Sequence, residues 1–261
     1  ADLDQIEEAW TALADVTDVE RLVPVTYMNS SAALKAFVGE HGGAVCTSSN
    51  ARAVLEWALA RGDKVMFLPD QHLGRNTAFQ MGYNAAAMRI WNPHRDLGGL
   101  EEREVKDATF LLWRGWCSVH QRFRPEHVEA FRAEYPGGEV IVHPECTHEV
   151  VSVSDAAGST EQIIGAVSAG EPGSRWAVGT EHHLVMRLAR EAKARGVEVR
   201  VLSDCQCLCT TMFRIDQPHL LWVLDSLAGA HSKDGSPKVV NAIKVHPEVR
   251  RDALLALRRM L

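Results

Sequence analysis

Short apolar runs alternate with stretches in which apolar residues recur at helical spacing, from the start of the chain to about residue 202. Apolar runs bounded by turn residues are typical of strands buried on both faces of a parallel sheet. The runs predict strands at 21–27, 44–46, 64–68, 109–113, 139–143, 155–157, 175–180 and 197–202. The intervening stretches predict helices at 4–13, 30–38, 51–60, 125–134, 147–153, 161–167 and 184–195. This alternation predicts an α/β protein built on parallel sheets.

Polar landmarks after the strands indicate that a small α-β-α unit occurs twice. The corresponding landmarks are Tyr27 and Asn29 with His143 and Glu145, Ser48 and Ser49 with Ser159 and Thr160, Asp70 to Leu73 with Glu181 to Leu184, and Cys117 with Cys209. Residues 81–102 are rich in Asn, Pro and Gly, have no counterpart in the second unit, and predict an irregular excursion. A diverged duplication explains this order, although unrelated strand–helix units would look similar.

Three regions follow from this pattern. We predict one α/β repeat at 1–120, a second at 121–215 and a C-terminal helical tail at 216–261. The tail contains predicted helices at 216–227 and 248–261 and matches neither repeat. It is therefore expected to pack across the repeats or onto something outside this chain.

Composition excludes several classes of protein. Of 261 residues, 46% are apolar and 24% charged, which is ordinary for a globular protein, and the net charge of −6 is spread along the chain. No basic stripe suggests nucleic acid as a partner, and no apolar run is long enough to span a membrane. The acidic N-terminus lacks a signal-peptide pattern, so a cytoplasmic location is expected.

Two cysteines occupy equivalent positions after the last strand of each unit. Cys117 and Cys209 would face one edge if the carboxyl ends of the parallel strands meet there. Their spacing matches neither a zinc finger nor a ferredoxin. Metal ligation and burial as small apolar residues both remain open. Cys205 and Cys207 lie beside Cys209, so a local redox pair is a further alternative.

Other polar residues at strand ends have two interpretations. His143 and Glu145 could carry a proton and act as a general base, or make a structural hydrogen bond. Tyr27 and Asn29 occupy the equivalent strand end. Ser48 and Thr160 begin helices, where hydroxyl and amide groups bind a phosphate or carboxylate, or simply cap the helix. Five more residues are assigned to the rim or to packing: Asp70, His72, Glu181, His182 and His183.

Seven motifs, in order along nearly the whole chain, resemble quinolinate synthase. They are Val23 to Ala32, Cys46 to Ala51, Pro69 to Gly74, Gly115 to His120, Val142 to Glu145, Gly158 to Thr160 and Cys209 to Met212. The resemblance implies small α-β-α domains in a pseudo-three-fold arrangement, with two of three repeats present in this chain. It also implies a 4Fe-4S cluster held by one cysteine per domain, with one iron left open as a Lewis acid. The implied reaction condenses iminoaspartate with dihydroxyacetone phosphate to quinolinate for NAD synthesis.

For each matching motif, the resemblance implies a role for particular residues of this chain. Cys117 and Cys209 become cluster ligands. Glu145 becomes the carboxylate near the open iron and a candidate general base, while His143 and His120 position substrate carboxylates or shuttle protons. The resemblance assigns six residues to substrate binding: Tyr27, Asn29, Ser48, His143, Glu145 and Thr160. Tyr27 also counts as catalytic, and Ser48 and Thr160 hold phosphate or carboxylate.

The third cluster cysteine has no match in this sequence. The resemblance places it upstream of Ala1, in a first domain, so the chain alone is expected to be inactive. Cys46, Cys146, Cys205 and Cys207 match no ligand position, and the last two could form a local disulfide. The resemblance also suggests a functional link to an L-aspartate-oxidising enzyme. Two competing hypotheses are a cluster-free, two-domain binding protein for a small anion, and a zinc hydrolase using His143, Glu145 and a cysteine.

Overall fold

The computed structural model describes residues 1–204, 209 and 211–260. Within these ranges the strands are β1 Leu22–Tyr27, β2 Ala44–Cys46, β3 Lys64–Leu68, β4 Met88–Trp91, β5 Phe110–Trp113, β6 Glu139–Val142, β7 Ala156–Ala157, β8 Arg175–Gly179 and β9 Glu198–Val201. The helices are α1 Leu3–Ala14, α2 Ala32–Glu40, α3 Ala51–Leu59, α4 Gln71–Gln80, α5 Glu102–Asp107, α6 Pro125–Glu134, α7 His148–Val153, α8 Thr160–Ser168, α9 His182–Lys193, α10 Gln217–Leu227 and α11 Pro247–Arg258. Each of the eight predicted strands and seven predicted helices of the first 202 residues is present.

The described strands form two sheets in which every neighbouring pair is parallel. The first has the order β2-β1-β3-β5-β4 and the second the order β7-β6-β8-β9. This confirms the α/β class. The two orders correspond strand by strand except for β4, which lies at the edge of the first sheet. The duplication, the pseudo-three-fold arrangement and the domain boundaries at 120 and 215 stay predictions.

Side chains of the first sheet alternate between two apolar layers, as the pleat of a strand requires. Met66 points into one layer with Ile6 of α1, and Phe67 points into the other with Leu55 of α3. The second sheet is covered by α6 and α7 on one face and by α8 and α9 on the other. Burial on both faces explains why the strands are continuous apolar runs in the sequence.

Two stretches differ from the sequence prediction. Residues 71–80 form α4, for which no helix was predicted, because polar Gln71, His72 and Asn76 share its buried positions with apolar Leu73 and Ala78. Asn76 donates to backbone carbonyl oxygens of the second unit, so a polar residue stands where an apolar one would show the helical spacing. The excursion at 81–102 contains β4, an edge strand whose apolar pattern is interrupted by Arg89.

None of the helices among the described residues could span a bilayer.

The two tail helices have different surroundings. Helix α11 packs closely on α2 of the first unit: a Cβ atom on Gly39 would lie 2.0 Å from the Asp252 carbonyl oxygen. Arg259 donates to the carbonyl oxygens of Gly39 and Gly43 at 2.8 and 2.9 Å, and so satisfies backbone groups beside the helix crossing. Helix α10 instead leaves much of its apolar surface exposed. The tail therefore attaches through α11 to the region predicted as the first repeat.

Replacing Gly39 by alanine is expected to lower the free energy of unfolding by about 1–3 kcal/mol, because the new methyl group forces two backbones apart. The measurement is urea denaturation followed by circular dichroism. Gly165 of α8 is the matched control, since a Cβ there meets nothing within 4 Å. Alanine at Gly165 should raise stability by about 0.5–1 kcal/mol through its better helix propensity. Equal effects at both positions would contradict the close α2–α11 crossing.

Candidate active site

Loops at the carboxyl ends of strands from both sheets converge on one buried site. Tyr27 ends β1, Cys117 and His120 follow β5, and His143 and Glu145 follow β6. Carboxyl ends of parallel strands are the usual position for ligand sites in α/β proteins. The fold thus brings together strand-end residues that are up to 118 positions apart in the sequence (145 − 27).

One oxygen of the Glu145 carboxylate contacts the edges of two stacked imidazole rings. Its Oε2 is 3.3 Å from Nδ1 of His120 and 3.3 Å from Nδ1 of His143. The rings of His120 and His143 stack with centroids 4.5 Å apart and planes at 18°. All three side chains are less than 10% exposed. The same carboxylate oxygen therefore faces a ring nitrogen of each histidine in a buried site.

The two histidines carry different charges. Burial lowers the pKa of His120, but Cys117 and Glu145 outweigh it and raise this pKa to about 9. Burial and the positive charge of His120 lower the pKa of His143 to about 3, against the opposing effect of Glu145. Burial raises the pKa of Glu145, yet its contact with His120 brings the net value below the usual range. At neutral pH the site therefore contains an ionised Glu145, a protonated His120 and a neutral His143.

The tautomer of the neutral histidine is fixed by the backbone. The amide of Glu145 donates to Nδ1 of His143 at 3.3 Å, so the proton of this ring is on Nε2. Nε2 of His120 lies 3.3 Å from Oγ1 of Thr180, which follows β8 and is 3% exposed. Sequence reasoning missed Thr180, although its place directly after a buried strand was a usable signal.

Tyr27 and Asp70 complete the buried polar layer. Burial, reinforced by the Glu145 charge, raises the pKa of Tyr27 far above its usual range, so the phenol keeps its proton. Burial and the same charge raise the pKa of Asp70 to about 7. Ser48 interacts with the Tyr27 hydroxyl. The sequence had assigned Asp70 to the rim or to packing. The structure places it 3% exposed within this layer.

Asp70 joins α4 to the loop that carries Cys117. Its Oδ1 accepts the backbone N–H groups of His72 and Leu73 at 2.8 and 2.9 Å, capping the helix. Its Oδ2 accepts the Cys117 N–H at 3.0 Å. One carboxylate thus fixes the position of the cysteine relative to the first sheet.

Asn76 of α4 holds the loop that carries Glu145. Its Nδ2 donates to the carbonyl oxygens of Pro144 and Cys146, both at 2.8 Å, and its Oδ1 lies 3.1 Å from Nδ1 of His148. Asn76 is 1% exposed. This side chain links the two sheet units on either side of Glu145, and sequence reasoning did not identify it.

Replacing Asn76 by aspartate is expected to lower the free energy of unfolding by about 2–4 kcal/mol, since two buried carbonyls lose their donor and face a carboxylate instead. Thermal and urea unfolding would measure the change. Asn84→Asp is the matched control, because exposed Asn84 uses only its Oδ1 as an acceptor, from the Ala86 N–H. If Asn76→Asp lost no more stability than Asn84→Asp, Asn76 would not be holding the loop that carries Glu145.

The cysteines fall into two groups by exposure. Cys117 and Cys209 are half-buried and pack against the same apolar cluster of the second unit. The Sγ of Cys209 accepts the Met212 N–H at 3.5 Å. Cys46 and Cys146 are buried, and burial raises the pKa of both thiols, which disfavours the thiolate form. Cys205 and Cys207, with their predicted redox pair or disulfide, lie outside the described residues.

The other predicted substrate contacts lie nearer the surface. Asn29 is exposed in the turn after β1. Ser48 is half-buried in the turn before α3, whose N-cap residue, Asn50, makes no side-chain capping bond. Thr160 is exposed as the first residue of α8, which Ser159 caps. Their predicted binding roles stay predictions.

Comparison with known proteins identifies the family. The family described as quinolinate synthetase A protein matches residues 1–261. A quinolinate synthase of Streptomyces coelicolor is 51% identical over 262 residues, covering 100% of this chain and 65% of the relative. One from Rhodopirellula baltica is 49% identical over 258 residues (98% and 64%), and one from Acidobacterium capsulatum is 50% identical over 262 (100% and 68%). The chain thus spans 64–68% of the length of these curated relatives. With matches of this extent, the chain belongs to the quinolinate synthetase A family.

Proposed function

We propose that this chain forms part of a quinolinate synthase, which condenses iminoaspartate with dihydroxyacetone phosphate to give quinolinate. The observation that carries the proposal is the buried Glu145 carboxylate, which contacts the ring edges of both His120 and His143 and lies close to Cys117. Condensation followed by dehydration and ring closure needs repeated proton removal and return at fixed positions. A carboxylate that is ionised at neutral pH can take up a proton, and the neighbouring imidazolium can give one.

The residues that would hold a 4Fe-4S cluster are Cys117 and Cys209. Their half-buried thiols, at the ends of β5 and β9, fit this use, whereas the buried Cys46 and Cys146 do not. When bound, the cluster would supply a Lewis acid for substrate oxygen atoms. Two thiolates are fewer than such a cluster requires, so we propose that a third comes from a segment outside these 261 residues.

Each proposed proton step has a residue in the buried layer. Glu145 takes a proton from the substrate and His120 returns one to a leaving oxygen. Tyr27, which keeps its phenol proton, donates to a substrate carboxylate. Asn29, Ser48 and Thr160 bind phosphate or carboxylate at the outer end. The compartment is the cytoplasm, and an enzyme that oxidises L-aspartate supplies the imine.

The test compares the chain alone with the chain completed in trans. Residues 1–261 are produced anaerobically with iron and sulfide, with and without the part of the Streptomyces coelicolor relative that lies outside the matched region. We expect quinolinate, detected by chromatography and mass spectrometry, only from the completed protein. A stable cluster with quinolinate production by the chain alone would refute the missing-ligand argument. A completed protein that binds a cluster but makes no quinolinate would refute the proposed reaction.

A further inference from the structure

We propose that Cys117, His120 and Glu145 bind one zinc-class divalent cation when no iron–sulfur cluster occupies Cys117. The Sγ, a ring nitrogen and a carboxylate oxygen of these residues all lie within 4.8 Å of one another. His120 and Glu145 are buried and Cys117 is half-buried, so an ion can enter from the cysteine side. The site shares one ligand with the proposed cluster, and the two metal centres therefore exclude each other.

The pair formed by His120 and Glu145 already has the spacing of two zinc ligands. Nitrogen and oxygen ligands about 2.0–2.1 Å from a tetrahedral ion are about 3.3 Å apart. The measured separation between Nδ1 of His120 and Oε2 of Glu145 is 3.3 Å. A thiolate completes this set at about 3.6 Å from each, given its longer bond to zinc of about 2.3 Å. The three ligand atoms lie within 4.8 Å of one another, so binding an ion requires the half-buried Cys117 thiol to move closer by about 1 Å.

His120 is oriented as a metal ligand by its second nitrogen. Nε2 lies 3.3 Å from Thr180 Oγ1, so with Nδ1 on a metal its proton is donated to that hydroxyl. Nδ1 is buried, and among the described residues it has no aligned hydrogen-bond partner, because its contact with Glu145 is an ion pair of poor hydrogen-bond geometry. A histidine that binds zinc usually donates its other ring N–H to a fixed acceptor, and Thr180 Oγ1 is placed to be that acceptor for His120.

The ligand set points to a particular class of metal and to an open position. A thiolate with an imidazole favours zinc or cobalt and excludes magnesium and calcium, which prefer oxygen. His143 is not a fourth ligand through Nδ1, because that atom accepts the Glu145 N–H. Three protein ligands leave the fourth position to water, as in zinc sites that bind small molecules.

Cobalt(II) is the probe, because its spectrum reports both thiolate ligation and coordination number. The cluster-free chain, stripped with chelator under anaerobic conditions, is titrated with cobalt and then with zinc. We expect one equivalent of cobalt, intense visible bands of a tetrahedral site, a thiolate charge-transfer band and displacement by zinc. X-ray absorption of the unmodified cobalt-loaded chain should show one sulfur ligand, a result that does not depend on whether any variant folds.

Variants separate this site from the cluster site. Cys117→Ser should abolish the charge-transfer band, and Thr180→Val should weaken cobalt binding about 10–100-fold by releasing the His120 ring. Cys146→Ser and Cys209→Ser should bind cobalt as the unmodified chain does. Loss of binding in Cys209→Ser, or two sulfur ligands by X-ray absorption, would overturn the proposal. Reconstitution with iron and sulfide is measured separately. Absence of cobalt binding would therefore leave the proposed quinolinate synthesis untouched, and absence of quinolinate synthesis would leave the proposed zinc-class site untouched.

Discussion

Glu145→Gln in the completed protein is expected to lower the rate of quinolinate formation by about 10²–10⁴-fold, the usual contribution of a general base. The amide keeps the size of the side chain but cannot accept a proton. It also leaves the positive charge of His120 without its buried partner, 3.3 Å away. The loss should fall on kcat rather than on KM, because the carboxylate acts on bond making more than on binding.

The control is Glu149→Gln, which removes a carboxylate from the exposed first turn of α7, four residues further along the same segment. Its activity should stay within about twofold of the unmodified protein, as expected for a surface change. Steady-state kinetics at saturating substrates compares the two variants. If Glu145→Gln keeps more than about a tenth of the rate, well above that general-base range, the base is another group.

Much of the fold is readable from the sequence because both faces of each sheet are buried. Apolar runs such as the one in β5 have no polar alternation, and the helices between them show ordinary amphipathic spacing. Helix α4 was not predicted from the sequence, because several of its buried positions hold polar residues. Its buried residues include Gln71, Asn76 and Thr77. Asn76 donates to Pro144, which is distant in sequence, and Thr77 donates to the Leu73 carbonyl one turn earlier.

Only those residues of the candidate site that directly follow a predicted strand could be identified from the sequence. Glu145, His143 and Cys117 follow strands directly, so topology alone places them at one edge. The sequence could not indicate that Thr180 anchors His120 or that Asp70 caps a helix with one oxygen and holds Cys117 with the other. The contact of Asp70 with Cys117 joins loops that follow neighbouring strands of the first sheet, and the Thr180 contact joins loops that follow strands of different sheets. No local sequence pattern encodes either contact.

The electrostatic arrangement has the same origin. Glu145 stays ionised although it is buried, because His120, which follows β5, provides the compensating charge. Burial raises the pKa of Tyr27 and of Asp70, and the Glu145 charge raises both further. Any change that opens the site to water is therefore expected to alter all of these groups together.

Gly115→Ala should remove the cobalt site and destabilise the chain, although the substitution adds only one methyl group. A Cβ at Gly115 would lie 2.1 Å from the carbonyl oxygen of Pro69, which belongs to rigid backbone. The Gly115 carbonyl oxygen also accepts the Gln71 N–H at 2.9 Å, so the loop has no room to withdraw without losing this bond. We expect a loss of about 1–3 kcal/mol in the free energy of unfolding, as for other overpacked positions.

The effect on the cobalt site follows because Gly115 lies two residues before Cys117 in the chain. Pushing Gly115 away from Pro69 draws the Cys117 N–H out of reach of Asp70 Oδ2, now 3.0 Å away, and moves the thiol from His120 and Glu145. Cobalt titration should then show binding weakened at least tenfold, with a weaker thiolate band, while Gly165→Ala binds cobalt normally. Full cobalt affinity together with reduced stability would mean that the loop absorbs the methyl group elsewhere. In that case Asp70 does not control the position of the cysteine.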